Sequence, residues 1–295
     1  MLDFRVETFL CVCQTMNFTQ AAKVLNITQP AVSQHIKYLE NHYHTKLFHY
    51  ENKKLYLTSA GTILHERFKT MENDEIALAA ELHSNTSGTE CLSLGVTMTI
   101  GEYAIIRPLA AFQRRHPEIN IELHFGNTSD LLQQLAAGSI QLALVEGYYP
   151  KDNYEHQKYS TEEYIGVCAA DHHFLAQPPR TFHDLLDERL LIREPGSGTR
   201  NILERNLALH GMKIADFRHY TEVGNMHTII GLLQQDCGIT FLYKIAVAES
   251  LKNSELQAIP LTGFSMQHDF DFIWEKGSIY TSKYESVCQE LKSGC

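Results

Sequence analysis

The segment that most restricts the fold of this chain is residues 19–40, TQAAKVLNITQPAVSQHIKYLE, whose pattern predicts two short helices joined by a tight turn. Asn26 tolerates the left-handed backbone that a sharp turn needs. Thr28 can cap the second helix, and Pro30 is accepted in a first helical turn. Apolar residues follow at i, i+4 and i+7: Val32, Ile36 and Leu39. This spacing predicts one buried helix face, and the whole segment has the pattern of a helix-turn-helix.

The opposite face of the second helix carries amide, hydroxyl and ammonium groups. Such groups reach base edges and phosphates when a recognition helix enters the major groove. The candidate DNA-binding residues on this helix and its cap are Thr28, Gln29, Pro30, Ser33, Gln34 and Lys37. The alternative is a helical hairpin whose polar face is only solvated.

Two further features favour DNA binding by this region. Residues 46–58, KLFHYENKKLYLT, predict a strand–turn–strand with Asn52 at its tip, where Lys53 and Lys54 are placed to contact the sugar–phosphate backbone. Residues 1–60 hold six Lys/Arg against four Asp/Glu, a net charge of +2. Since the whole chain has a net charge of −10, residues 61–295 have a net charge of −12. An acidic chain of this kind would bind DNA through one small, mildly basic module.

A long amphipathic helix is predicted after this module, over residues 58–84, with Ser59 as a possible cap. Its apolar residues recur at three- and four-residue steps: Ile63, Leu64, Phe68, Met71, Leu78 and Leu82. A helix of this length spans roughly 40 Å, which is more than a 60-residue domain needs. The stripe therefore favours an antiparallel helix from a second subunit over packing on its own domain. Residues 84–89, SNTSGT, are interpreted as a flexible hinge.

Strands and helices alternate after the hinge, which predicts a parallel sheet with right-handed crossovers. The predicted strands are 92–97, 119–125, 140–146, 164–170, 189–193, 217–223, 238–243 and 269–275, and the last returns to the first sheet. The predicted helices are 102–115, 129–137 and 283–292, with two more starting near residues 199 and 225. Two α/β lobes joined by crossing strands leave a cleft, where small ligands bind at the carboxyl ends of strands and the N-termini of helices.

Hydroxyl-rich turns at these helix starts are the candidate ligand site, because free backbone amides and glycines there favour an oxygen anion. The candidate effector-binding residues are Thr97, Thr99, Ile100, Asn127, Thr128, Ser197, Thr199, Arg200 and Asn225. Arg200 could instead form a structural ion pair, and each of the others could be an ordinary cap or turn residue. Residues 196–200, GSGTR, lack the Lys-Ser/Thr ending of a nucleotide loop, and no Ser–His–Asp order or paired-carboxylate motif is visible. The chain is therefore not expected to be an enzyme.

The chain resembles the LysR-type transcriptional regulators. Residues 9–40, FLCVCQTMNFTQAAKVLNITQPAVSQHIKYLE, match the family's DNA-binding signature, LTSAG at 57–61 is a further hallmark, and the similarity continues along the chain. Two family wing arginines correspond here to Tyr50 and Lys53. The resemblance implies dimerisation through the long helix, possible pairing of dimers into tetramers, and an inverted-repeat operator. It also implies effector contacts at Thr97, Thr99, Thr128 and Thr199, and less directly at Ile100, Asn127 and Asn225.

The expected fold is therefore α+β and multidomain. Residues 1–58 form a winged helix-turn-helix, residues 59–89 a dimerisation helix and hinge, and residues 90–295 a bilobal, periplasmic-binding-protein-like effector domain. Lobe I covers about 90–163 and 268–295, and lobe II about 164–267. The expected function is a homo-oligomeric regulator that binds double-stranded DNA and senses a small, anionic effector.

Composition adds several expected absences. No stretch of about 18 uncharged apolar residues exists, so no membrane span is expected, and the charged, amphipathic N-terminus argues against a secretory signal. The expected location is the cytoplasm. The seven cysteines include no C-x-x-C pair, and no metal or other cofactor is expected. Two alternatives stay open: a redox-responsive regulator of the same family using Cys168 and Cys237, and a small-molecule-binding protein or enzyme on a bilobal fold. The second would leave residues 1–60 without a role.

Overall fold

The computed structural model describes residues 2–87, 90–174, 179–264 and 266–293. The chain divides into two compact units, one made of residues 1–87 with 276–280 and the other of residues 88–275 with 281–295. The helices are α1 (Phe4–Thr15), α2 (Phe18–Val24), α3 (Gln29–His42), α4 (Ser59–Ser87), α5 (Ile106–Arg115), α6 (Thr128–Ala136), α7 (Gly198–Leu209), α8 (Met226–Gln234), α9 (Ala248–Lys252) and α10 (Thr281–Ser293). The strands are β1 (Phe48–Glu51), β2 (Lys54–Leu57), β3 (Glu90–Thr97), β4 (Ile119–Gly126), β5 (Leu142–Val145), β6 (Tyr154–Ala169), β7 (Arg189–Ile192), β8 (His219–Glu222), β9 (Thr240–Tyr243), β10 (Leu256–Ala258) and β11 (Met266–Glu275).

The first unit is a three-helix cluster with a β-hairpin, as the sequence predicts. Asn26 takes a φ of 55° in the turn between α2 and α3, and the Thr28 hydroxyl caps α3 by accepting from the Ala31 amide at 3.3 Å. The predicted apolar face of α3 is buried and joins one core with α1 and α2: Val6, Phe9, Leu10, Val12, Ala21, Ala22, Val32, Ile36, Leu39, Leu47, Leu55 and Phe68. Burial of this face leaves the polar side of α3 for solvent.

The hairpin forms the predicted wing. Strands β1 and β2 are antiparallel, with Phe48 opposite Leu57 and Glu51 opposite Lys54. Asn52 and Lys53 occupy the turn with φ values of 49° and 62°. Two successive left-handed residues give the turn type whose twist matches that of the strands.

Helix α4 departs from the prediction at both ends. Thr58, and not Ser59, caps it, because the Thr58 hydroxyl accepts from the Gly61 amide at 3.0 Å while it donates to the Lys46 carbonyl at 2.6 Å. The helix continues to Ser87. The predicted hinge is therefore wrong for residues 84–87, which are helical, and its residues 88 and 89 lie outside the described residues.

The apolar residues of α4 divide into two groups, one packed on the core of the first unit and one exposed. Phe68 is buried in the core of the first unit, with Leu64 packed against it. Other apolar side chains of the helix are exposed within this unit: Ile63, Met71, Ile76, Leu78 and Leu82. Packing on its own unit therefore accounts for only part of the stripe.

The second unit is built on a mixed sheet. Its parallel part, β4–β3–β5, confirms the predicted parallel pairing, with Leu94 of β3 opposite both Leu123 and Leu142. Strand β11 returns to this sheet beside β5, as predicted, but runs antiparallel to it. The parallel pair β7–β8 forms a separate small sheet.

Two long antiparallel strands connect the lobes. Strand β6 starts at Tyr154, ten residues before the strand that the sequence predicts, and its residues 154–164 pair with β11. One end of β6 lies opposite Glu275 in the first lobe, and the other end pairs with β9 and β10 in the second. The short elements α9 and β10 were not expected from the sequence. The described part of the chain contains no helix long and apolar enough to cross a membrane.

Candidate DNA-binding surface and ligand site

The polar face of α3 is open within its unit. Gln29, Gln34 and Lys37 are exposed, as is Pro30. The Gln29 side-chain amide donates to the half-buried Ser33 hydroxyl at 2.9 Å, so these two residues support each other along one helical turn. Amide and ammonium groups therefore project from this face without being covered by the unit's own residues.

A groove of about 550 Å³ lies between the start of α3 and the wing. The residues lining it are Met16, Asn17, Phe18, Thr19, Gln29, Tyr50, Lys53, Lys54, Leu55 and Tyr56. The start of the candidate recognition helix and the two wing lysines thus share one concave surface. Such a surface can hold a sugar–phosphate strand while α3 faces the bases.

The candidate ligand site is centred on a residue that the sequence analysis did not select, Glu146, which directly follows β5. Its side-chain Oε1 accepts from the Thr199 hydroxyl at 2.6 Å and from the Thr99 hydroxyl at 3.2 Å. Its backbone carbonyl accepts from the Thr128 hydroxyl at 2.8 Å. Three of the predicted effector residues therefore meet at one buried glutamate, and the bond to Thr199 joins the first lobe to the second.

Glycines allow these turns to approach closely. A Cβ atom at Gly198 would lie 2.5 Å from the Glu146 carbonyl oxygen. Gly147 has a φ of +84°, and its Cβ would lie 2.7 Å from the Gly198 Cα. Side chains at these two positions would push the start of α7 away from the end of β5, so the contact between the lobes depends on their absence.

Other predicted residues occupy the surrounding turns. Asn127 caps α6 by accepting from the Asp130 amide at 2.9 Å, and Asn225 caps α8 by accepting from the Thr228 amide at 3.0 Å. Three more are buried: Thr97 at the end of β3, Ile100 at the start of a π-helical turn, and Ser197 directly before α7. Among the described hydrogen bonds, none joins the side chain of any of these five residues to Glu146.

Arg200 is committed to protein carboxylates. Its guanidinium donates to Glu204 at 2.8 Å and to Glu222 at 2.7 Å, and also to the Arg193 carbonyl at 3.0 Å. These contacts favour the structural ion pair that the sequence left open. The neighbouring Arg193 is 3% exposed and binds both oxygens of Glu194.

Burial controls the electrostatics of Glu146. Loss of hydration raises the pKa of its carboxyl, while the hydroxyls of Thr199 and Thr99, the charge of Arg193 and the Thr199 backbone amide act in the opposite direction. Tyr164 lies nearby, with its hydroxyl donating to the Thr199 carbonyl at 2.8 Å and to the Phe241 carbonyl at 3.1 Å. The sequence offered one signal for Glu146, its position at the end of the apolar run IQLALVE. Hydrophobic periodicity does not show which residues a strand end will face, so Glu146 was not selected.

The cysteines of the redox alternative have different environments. Burial raises the pKa of the Cys168 thiol to about 12, whereas Cys237 is exposed. Because the thiolate is the reactive form, Cys168 is poorly suited to react with peroxide. Both are free thiols. Within the described residues, no group of three or more His, Cys, Asp or Glu side chains could hold a metal ion.

We expect peroxide to leave Cys168 unmodified and to form no bond between Cys168 and Cys237. Of these two thiols, peptide mass spectrometry after peroxide treatment and alkylation under native conditions should find label or oxidation at Cys237 only. A Cys237→Ser variant is the control. Recovery of a disulfide-linked peptide containing both residues would contradict this prediction and support the redox alternative.

A helix-turn-helix unit with a wing, followed by a two-lobed α/β unit, defines a DNA-binding regulator with a ligand-binding domain. Residues 5–62 match the bacterial regulatory helix-turn-helix proteins of the lysR family, and residues 86–295 match the LysR substrate binding domain. The chain belongs to the LysR family of transcriptional regulators.

Known relatives agree with this assignment. The chain is 28% identical over 290 residues to the HTH-type transcriptional regulator CysL of Bacillus subtilis, covering 98% of this chain and 96% of CysL. A hydrogen peroxide-bound OxyR variant of Corynebacterium glutamicum is similar with a TM-score of 0.61 at 20% identity, covering 98% of this chain and 91% of OxyR. The CcmR regulatory domain of Synechocystis, in complex with 2-PG, gives a TM-score of 0.60 at 20% identity over 69% of this chain and 98% of that domain. At these identities the structural likeness shows the fold.

Proposed function

We propose that this chain is a ligand-responsive transcriptional regulator that reads an inverted-repeat DNA site and senses a small anionic metabolite in its effector unit. The observation that carries the proposal is the open polar face of α3 beside the lysine-bearing wing. Gln34, Ser33 and Lys37 would face base edges, while Thr28, Gln29 and Pro30 would set the depth of the helix start. Lys53 and Lys54 would hold the backbone.

A second copy of the chain would complete the DNA-binding assembly. The exposed apolar residues of α4 would pair with the same helix of the partner, giving a homodimer and, by pairing of dimers, a tetramer. Paired recognition helices would then enter successive major grooves about 34 Å apart, which requires an inverted repeat. A regulator of this kind would act in the cytoplasm, where the DNA lies, and would not be an enzyme.

The anionic effector is proposed for the turns around Glu146. The starts of α6 and α7 present backbone amides and a positive dipole end, and glycines at 196 and 198 keep the backbone accessible. Thr99, Thr128 and Thr199, whose hydroxyls donate to Glu146, line this site from both lobes. The complex of the similarly folded CcmR domain with 2-PG supports a small metabolite as the ligand. Thr97, Ile100, Asn127, Ser197 and Asn225 would shape the site.

We expect Thr99→Ala to abolish the effector response while DNA affinity stays nearly unchanged, because Thr99 donates to Glu146 and lies outside the DNA-binding unit. A thermal-shift screen of small carboxylic acids, sulfate and phosphate would first identify a binding anion. Mobility shifts and footprints on a selected DNA fragment would then be compared with and without that anion. Thr262→Ala, on an exposed turn away from Glu146, is the matched control and should respond normally.

Two outcomes would contradict this proposal. A normal response by Thr99→Ala would place the ligand elsewhere. Failure of the unmodified chain to bind DNA in a salt-sensitive way would favour a binding protein or enzyme on the same bilobal fold, because phosphate contacts always release counterions.

A further inference from the structure

The proposed anion site already contains a carboxylate of the protein. Glu146 is 1% exposed, and its Oε1 accepts hydrogen bonds from the hydroxyls of Thr99 and Thr199, two of the residues proposed for the effector site. Its other oxygen, Oε2, is buried and has no hydrogen-bond partner among the described residues. A buried carboxylate oxygen without a donor is costly, so this atom lacks a group that a ligand or a proton could supply.

The charges that face Glu146 do not neutralise it fully. The one nearby cation that influences it is Arg193, whose guanidinium is already bound to both oxygens of Glu194. The other titratable groups that interact with it are the phenols of Tyr164 and Tyr243, from β6 and β9, which are neutral when protonated. An oxyanion beside Glu146 would therefore meet a like charge in a site from which water is excluded.

Two anionic groups that share a buried site bind a proton between them, because both cannot remain charged at short range. We propose that Glu146 determines the specificity of the effector site by taking up one proton when an oxyanion binds. A hydronium ion or buffer acid gives up a proton, which forms an O–H bond at Oε2, and the conjugate base stays in solution. The neutral acid then donates to the anion while Oε1 keeps its two hydroxyl donors. This proposal rests on the proposed function, since it concerns the same effector.

The environment of Glu146 prepares this uptake. Burial raises the pKa of its carboxyl even without a ligand, and an adjacent anion would raise it further. The folded chain then holds this proton at a higher pH than the unfolded chain. That contribution to stability is present at low pH and is lost as the pH rises through the folded pKa. The affinity of the site for an anion should likewise fall as the pH rises.

The test is isothermal titration calorimetry of the full chain with sulfate and with acetate, between about pH 5.5 and 8. Both probes keep their charge over most of this range, so a buffer-dependent heat reports protons bound by the protein. We expect uptake of about one proton where Glu146 is ionised, and an affinity that falls about tenfold per pH unit there. In Glu146→Gln, which mimics the protonated acid, binding should persist with no proton uptake and little pH dependence.

Glu249→Gln, the same chemical change on an exposed helix residue, is the matched control and should behave like the unmodified chain. Binding of either probe without proton uptake at every pH from about 5.5 to 8 overturns the proposal while leaving the anionic effector intact. Loss of binding in a folded Glu146→Gln variant also overturns it, because the ligand would then need the carboxylate itself. Absence of binding by both probes at every pH contradicts the anionic effector as well. The buffer experiment on the unmodified chain decides the question even if the variant fails to fold.

Discussion

Gly198→Ala is expected to separate the two lobes at the ligand site and to abolish effector response. The added methyl would meet the Glu146 carbonyl oxygen at 2.5 Å and its carbon at 2.9 Å, which are backbone atoms that cannot swing away. The helix start must shift, and the 2.6 Å bond between Thr199 and Glu146 would be lost with it. Overpacking of this kind costs about 3 kcal/mol. For an effector domain of this size, this lowers the melting temperature by roughly 6 to 12 °C.

Differential scanning calorimetry and a mobility-shift assay with effector would measure the two effects. Gly231→Ala provides the control, because Gly231 lies inside α8 and a Cβ there would meet no atom within 4 Å. That change should be neutral or stabilising by about 1 kcal/mol, as expected for alanine in place of a helical glycine. A Gly198→Ala chain with an unchanged melting temperature and a normal response would show that the lobes tolerate separation at this point.

Gln34→Ala is expected to weaken binding to the operator by about 1–3 kcal/mol, which is roughly a 5-fold to 150-fold loss. Gln34 is exposed on the open face of α3. Its side-chain amide can therefore reach a base edge when the helix enters the major groove. Non-specific DNA should be bound almost as well as before, because base contacts add little to it. Fluorescence anisotropy with operator and scrambled duplexes at several salt concentrations would measure both affinities.

Gln14→Ala is the matched control, since Gln14 is an exposed glutamine on α1 and outside the recognition helix. Lys53→Ala offers the opposite pattern: affinity for both duplexes should fall together, and the salt slope should decrease by about one. Equal losses for both duplexes in Gln34→Ala would contradict base readout by this residue. The position would then be a backbone contact.

Local pattern was sufficient for most of the first unit. The spacing of Val32, Ile36 and Leu39 selected the buried face of α3, and Asn26 and Thr28 marked the turn and the cap, all of which the structure confirms. The end of α4 was harder to predict. Ser, Asn and Thr at 84–87 are poor helix formers, yet the helix extends through them.

The strands of the second unit were predicted where they are apolar and missed where they are not. Residues 154–163, YEHQKYSTEE, are mostly polar and show no apolar run, so the first part of β6 has no local signal. It is a strand because β11 pairs with it, with Phe272 opposite Gln157 and Trp274 opposite Glu155. Backbone hydrogen bonds from a partner more than 100 residues away outweigh the local preference.

The ligand site divides in the same way. Hydroxyl-bearing turns at helix starts are visible in the sequence, because capping and glycine chemistry act over a few neighbouring residues. Thr99, Thr128 and Thr199 were selected on that basis, and the structure brings all three to Glu146. Glu146 was not selected, because its importance comes from residues 47 and 53 positions away along the chain.

The amino-acid order alone settled the elements whose cause is local: helix faces, caps, tight turns and the alternation of strands with helices. Folding in three dimensions settled which turns meet, which strands extend by pairing, and which charge is removed from water. The physical reason is range. Backbone preference and side-chain periodicity act within about one or two turns of chain, whereas burial and pairing join segments that only the completed fold brings together, as it does with Glu146, Thr199 and Gly198.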